Sequence, residues 1–191
     1  MTGSRIRSAR VIAAGSAVRI LLTPVVMWLV LEGDGDSAEL AAVVLFCVAA
    51  ATDWVDGRLA RRWGVTSKLG SFLDTTADKL LVSGVLIALL AAGRVSTWIV
   101  AVIIGRELVV MGLRGVVASE GEVMAPSMLG KLKTSIQFLA IALAILRPGE
   151  RILGLYLDEW AMLAAAAITV ASAADYLVRV LPAVAREDSA T

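Results

Sequence analysis

The feature that most constrains this chain is a series of six apolar stretches, at about residues 11–31, 40–59, 72–92, 97–117, 132–146 and 160–181. A helix needs about 20 apolar residues to cross the hydrocarbon core of a bilayer, and five of the six reach that length. The fifth is short, which predicts that its helix also takes in 130–134. Turn signals fall between them: GDGD at 33–36, Gly64, AAGR at 91–94, EGE at 120–122 with Pro126, and RPGE at 147–150. Hydrophobic residues make up 59% of the 191, too many for an ordinary soluble domain. The expectation is an all-α, polytopic integral membrane protein with six transmembrane helices in a single domain, 1–191. No linker, repeat or low-complexity tract divides it.

The amino terminus is basic and then apolar, as a signal peptide would be, but the apolar run continues and further spans follow. It therefore reads as an uncleaved first helix, with Arg5, Arg7 and Arg10 set in a short amphipathic juxtamembrane segment. Cations collect there, at Arg58, Arg61, Arg62 and Lys68 between spans two and three, and at Lys131 and Lys133 before span five. The opposite loops hold Glu32, Asp34 and Asp36, then Arg94, then a mixed group around Glu150. By the positive-inside rule both termini and the segment between spans two and three face the cytoplasm.

A net charge of +1 and the absence of any basic, aromatic-laced run argue against a nucleic-acid partner. Histidine is absent, which removes the commonest general base and leaves carboxylates, cations, hydroxyls or bound metal for any chemistry. The lone cysteine, Cys47, excludes a disulfide within the chain and reads as a small buried hydrophobe. Trp98 and Trp160 suit interfacial anchors, and Trp54 and Trp63 suit packing or anchoring.

Between spans two and three runs TDWVDGRLARRWGVTSKLGSFLDTTADK, residues 52–79, with four aspartates. Asp53 and Asp56 stand three apart and Asp74 and Asp78 four apart, so on helices each pair shares a face. Four such carboxylates repel one another unless cations neutralise them or some stay protonated. Hard oxygen ligands suit Mg²⁺ or Mn²⁺. A helix cap or surface ion pair would explain one aspartate, but not four in register with Gly57, Ala60, Arg61 and Gly70.

D-x-x-D-G-x-x-A-R, eight residues, then G-x-x-x-D-x-x-x-D resembles the signature of the CDP-alcohol phosphatidyltransferases, with every fixed position filled. The resemblance implies transfer of a phosphatidyl group from a CDP-activated lipid to an alcohol, with release of CMP at a two-metal site. It implies Asp53, Asp56, Asp74 and Asp78 as metal ligands, and Asp53, Gly57, Arg61, Ser67 and Arg19 as contacts to the CDP-lipid. Asp78 is the best candidate for general base, with Asp74 or a metal-bound hydroxide as rivals. Two departures stand out. Relatives often carry an Asn and a Thr ahead of an Arg in span one, where AAGSAVR supplies Ser16 and Arg19 but no Asn, and Thr75 replaces a common Pro.

A second constellation concerns the acceptor. Arg106, Glu107 and Arg114 lie in or near span four, and Lys131, Lys133, Thr134 and Gln137 follow in MLGKLKTSIQ. Converging cations would hold an anionic acceptor such as a phosphate monoester. Juxtamembrane charge that only sets topology is the plainer reading, least apt for Arg106 because of its depth. Glu107 would pair with Lys131, Lys133 or an acceptor hydroxyl and, with Thr134, orient the acceptor. RELVVMGLR with GKLKTSIQ, FCVAAATDWVDG and FLDTTADK is most similar to the family members that join CDP-diacylglycerol to sn-glycerol 3-phosphate. That similarity implies a homodimer in a bacterial inner membrane. The rivals are a sibling transferase using an inositol phosphate or phosphatidylglycerol, a membrane metal-ion carrier or channel, and a catalytically dead scaffold.

Overall fold

A computed structural model describes residues 3–63, 68–119, 127–149 and 151–187, with side chains over 15–52, 70, 72–118, 127–149 and 151–180. Within these residues the order is α1 (Gly3–Glu32), α2 (Gly35–Trp63), α3 (Lys68–Ala91), α4 (Thr97–Ser119), α5 (Met128–Leu146), β1 (Arg151–Ile152), β2 (Leu155–Tyr156) and α6 (Leu157–Glu187). The protein is an all-α membrane protein with one small hairpin. Four helices are long and apolar enough to cross a membrane, over Gly15–Glu32, Gly35–Thr52, Met128–Leu146 and Leu157–Val180. α3 and α4 are of comparable length but carry more charge: Asp74, Asp78 and Lys79 on one, Arg106, Glu107 and Arg114 on the other.

The chain forms two compact units, one up to Arg94 and one from Val95 onward. In the first, α1 packs against both α2 and α3. Its buried positions, Ser16, Arg19, Thr23, Val26 and Val30, step by three or four residues and so form one stripe, polar at its start and apolar beyond. Ala42, Phe46 and Ala49 on α2 and Ala77, Leu81, Val85 and Ala88 on α3 complete the core. Small residues at such contacts let backbones approach closely, and dispersion then holds helices that lipid would solvate equally well. Gly84 is one such point, because a Cβ there would lie 2.8 Å from Thr23 Cγ2 and 3.0 Å from Met27 Sδ. Arg94 Nη2 donates to Glu39 Oε1 at 2.6 Å and ties the end of this unit to the start of α2.

In the second unit α6 packs against α5 and α4. Asp158, Met162, Ala165, Thr169, Ser172 and Val180 are its buried stripe, and Val100, Ile103, Glu107, Val110 and Val117 that of α4. α5 buries Lys133, Gln137, Ala140, Ile141, Ala144 and Ile145. Its helix starts at Met128 with Ser127 as N-cap, whose hydroxyl accepts from Gly130 N–H, so the short fifth stretch is extended as expected. It ends at Arg147, which takes the left-handed conformation at φ 41°.

The RPGE turn signal coincides with the end of α5, and it is followed by a hairpin that the sequence reading did not include, pairing Arg151 with Tyr156 and Ile152 with Leu155. Leu153 and Gly154 both have positive φ, 52° and 88°, as a tight two-residue turn demands. Cys47 is exposed on α2 rather than buried, because the stripe of that helix passes through Phe46 and Ala49 and leaves residue 47 on the far side.

Candidate active site

The last turns of α2 carry Asp53, Asp56, Gly57 and Arg61, so the helical spacing expected for the aspartate pair holds for the backbone. Their side chains, and Ser67 altogether, lie outside the described residues. The core spacing of Ala42, Phe46 and Ala49 runs on by steps of four and three to positions 53 and 56. Asp74 and Asp78 sit one turn apart near the start of α3, both partly open.

Arg19, fully buried on α1, donates from Nη2 to Asp74 Oδ1 at 2.6 Å, and the Ser16 hydroxyl lies 3.5 Å from the same oxygen. The polar end of the α1 stripe therefore meets the first turns of α3. Thr23 returns its hydroxyl to the Arg19 carbonyl at 2.8 Å. Both contacts to Asp74 fall on Oδ1, so a buried guanidinium holds one oxygen of the carboxylate and leaves Oδ2 as the open one. Asp78 pairs through Oδ2 with Lys79 Nζ at 3.1 Å. Among the described residues no three acidic, Cys or His side chains gather closely enough to hold a metal. Two partly open carboxylates one turn apart nonetheless have the donor chemistry that a hard divalent cation takes.

The second unit gathers part of the expected acceptor set. Glu107 Oε1 accepts from Lys133 Nζ and also from Arg106 Nη1, the latter at 3.2 Å. Lys133 is thus the partner of Glu107 out of those the sequence allowed, and Arg106 reaches it as well through its long side chain. Arg106 Nη2 donates to Ser172 Oγ on α6 at 2.7 Å. Arg114 places its guanidinium 5.5 Å from the centre of the Tyr176 ring. Lys131 is exposed, and Thr134 donates its hydroxyl back to the Gly130 carbonyl of its own helix at 3.1 Å. Three buried polar atoms nearby in the fold of α5 and α6, Gln137 Nε2, Thr169 Oγ1 and Tyr176 OH, have no hydrogen-bond partner among the described residues.

Sequence reasoning missed Ser172, Tyr176 and Thr169. The signal for them was present as Thr169, Ser172 and Tyr176 at steps of three and four in an otherwise apolar run. It reads as a polar stripe only once α6 is known to turn that face to α4 and α5.

The family model for CDP-alcohol phosphatidyltransferases matches residues 14–177 and so runs through both units. The chain is 45% identical over 139 residues to a protein of Bacillus subtilis (strain 168) named CDP-diacylglycerol–glycerol-3-phosphate 3-phosphatidyltransferase, covering 67% of this chain and 72% of that one. It is 41% identical over 116 residues to a protein of the same name from Escherichia coli (strain K12), covering 58% of this chain and 63% of the relative, a little under two thirds. A match of this extent, over a sequence whose aspartate signature is complete, shows that the chain belongs to the CDP-alcohol phosphatidyltransferase family.

Proposed function

We propose that this protein transfers the phosphatidyl group of CDP-diacylglycerol to sn-glycerol 3-phosphate, giving phosphatidylglycerophosphate and CMP. The relatives' names point to the acceptor, and one observation in this chain carries it. Arg106 and Lys133 both donate to Glu107 in a largely buried cluster, which gathers two cations on α4 and α5. Charge in that setting is costly unless an anion offsets it, and a phosphate monoester does so where a neutral alcohol would not.

In the reaction the acceptor hydroxyl oxygen forms a bond to the phosphorus next to diacylglycerol, the bond from that phosphorus to CMP breaks, and CMP departs with the electron pair. Asp78, one turn from Asp74 on α3, takes the hydroxyl proton. Asp74 is aimed by Arg19. Mg²⁺ or Mn²⁺ held by Asp53, Asp56, Asp74 and Asp78 would neutralise pyrophosphate charge. Gly57 leaves room for the nucleotide, while Arg61 and Ser67 contact its phosphates. Arg114 and Lys131 add to the attraction for the acceptor, and Thr134 and Glu107 orient it.

The same reading takes α3 and α4 as membrane-crossing, which makes six spans, with both termini and the aspartates on the cytoplasmic side of a bacterial inner membrane, and takes the working form as a homodimer. Asp78→Asn should abolish CMP release while the protein still purifies folded; near-normal turnover would remove Asp78 from the base role. A pair of cations alone also suits another phosphate monoester, such as an inositol phosphate. CMP release measured with a panel of acceptors separates the two, and glycerol 3-phosphate should be preferred by at least about tenfold in kcat/KM.

A further inference from the structure

We infer that Ser172 of α6 is a positioning residue for the acceptor phosphate, acting through Arg106; the inference rests on the acceptor reading above. Ser172 is only 1% exposed, and its hydroxyl oxygen accepts from Arg106 Nη2 at 2.7 Å. Serine within a helix ordinarily returns its hydroxyl to a carbonyl of the preceding turn, and here it faces a guanidinium on a neighbouring helix instead.

The guanidinium is held at two of its five N–H groups. Nη1 donates to Glu107 and Nη2 to Ser172. Nε is buried and has no partner among the described residues. The Nε–H and the remaining Nη2–H form one side of the planar fork, the side that grips two oxygens of a phosphate at once. Glu107 fixes the opposite side, and the Ser172 hydroxyl fixes the rotation of the plane. Without Ser172 the arginine keeps its charge and its contact with Glu107 but swings about its last bonds. Acceptor binding would then weaken while the reacting groups on α3 stay as they were.

The test uses the full-length protein in membranes or detergent, with CMP release followed as sn-glycerol 3-phosphate and CDP-diacylglycerol are varied in turn. Ser172→Ala should raise KM for the acceptor about tenfold, as loss of a hydrogen bond to a charged group does, with kcat and the KM for CDP-diacylglycerol within about twofold of the parent. Ser172→Thr keeps the hydroxyl and should bring the acceptor KM most of the way back. Should Ser172→Ala fail to accumulate, Ser172→Cys, of similar size and a weaker acceptor, should shift the acceptor KM in the same direction. An unchanged acceptor KM, or an equal rise for both substrates, overturns the role of Ser172. Arg106→Lys separates the two levels. If it raises the acceptor KM while Ser172→Ala does not, the positioning role is wrong and the acceptor reading stands. If it leaves the acceptor KM unmoved, the acceptor reading falls and the inference with it.

Discussion

Arg19 has no exposed surface, and its counter-charge is the carboxylate of Asp74. Removing one member of a buried pair leaves the other uncompensated, at a cost of roughly 3–5 kcal/mol when both are enclosed and less here because Asp74 is partly open. Arg19→Met should therefore lower stability modestly, read as a drop in the thermal midpoint in detergent. It should lower CMP release far more, because Asp74 loses its aim. The Lys133 and Glu107 pair is enclosed on both sides. Lys133→Met or Glu107→Gln alone should each destabilise more than the double substitution does relative to either single one, a coupling of about 0.5–3 kcal/mol in a thermal or denaturant double-mutant cycle. At this scale the aspartates were legible from spacing alone, since fixed residues at fixed intervals leave little freedom. The meeting of Arg19 with Asp74, 55 positions away, depends on α1 lying along α3, which no local pattern encodes.

The helices bury narrow stripes that repeat every three or four residues, and in each unit those stripes mix small, polar and large apolar side chains, while other Leu, Val and Trp residues face outward. The six apolar stretches announced the helices because length and hydropathy are local properties. The stripes were harder to read, because a segment apolar on every side has little contrast between faces. Cys47 was misplaced for that reason. The hairpin at Arg151–Tyr156 escaped notice because its turn is Leu153–Gly154, where only the second residue is a usual choice for positive φ. Gly84 marks a close approach of α3 to side chains of α1. Gly84→Val should force them apart, at a cost of about 1–3 kcal/mol, seen as a lowered thermal midpoint, whereas Gly105→Ala, with open space around it, should leave the midpoint unchanged.

For the whole molecule, the described helices bury polar side chains such as Arg19, Glu107 and Lys133 alongside an apolar core and leave many large apolar ones exposed, which suits lipid as the solvent. Large apolar side chains such as Leu21, Phe72 and Leu139 are exposed on the isolated chain and would meet acyl chains or a second copy. The first unit holds the partly open carboxylates of Asp74 and Asp78, and the second holds the buried cluster of Arg106, Glu107 and Lys133. Chelation of divalent cations should stop CMP release, and Mg²⁺ or Mn²⁺, added back, should restore it; activity unaffected by a strong chelator would dismiss the metal role of the aspartates.

The hairpin between α5 and α6 has a tip, Leu153, that is 90% exposed. The single sulfur in any cysteine of this protein is that of Cys47, so Cys47→Ser provides a thiol-free background and Leu153→Cys returns one thiol at the tip. An impermeant maleimide added to intact cells should then mark the chain, whereas a thiol that reacts only after lysis would turn the proposed topology inside out.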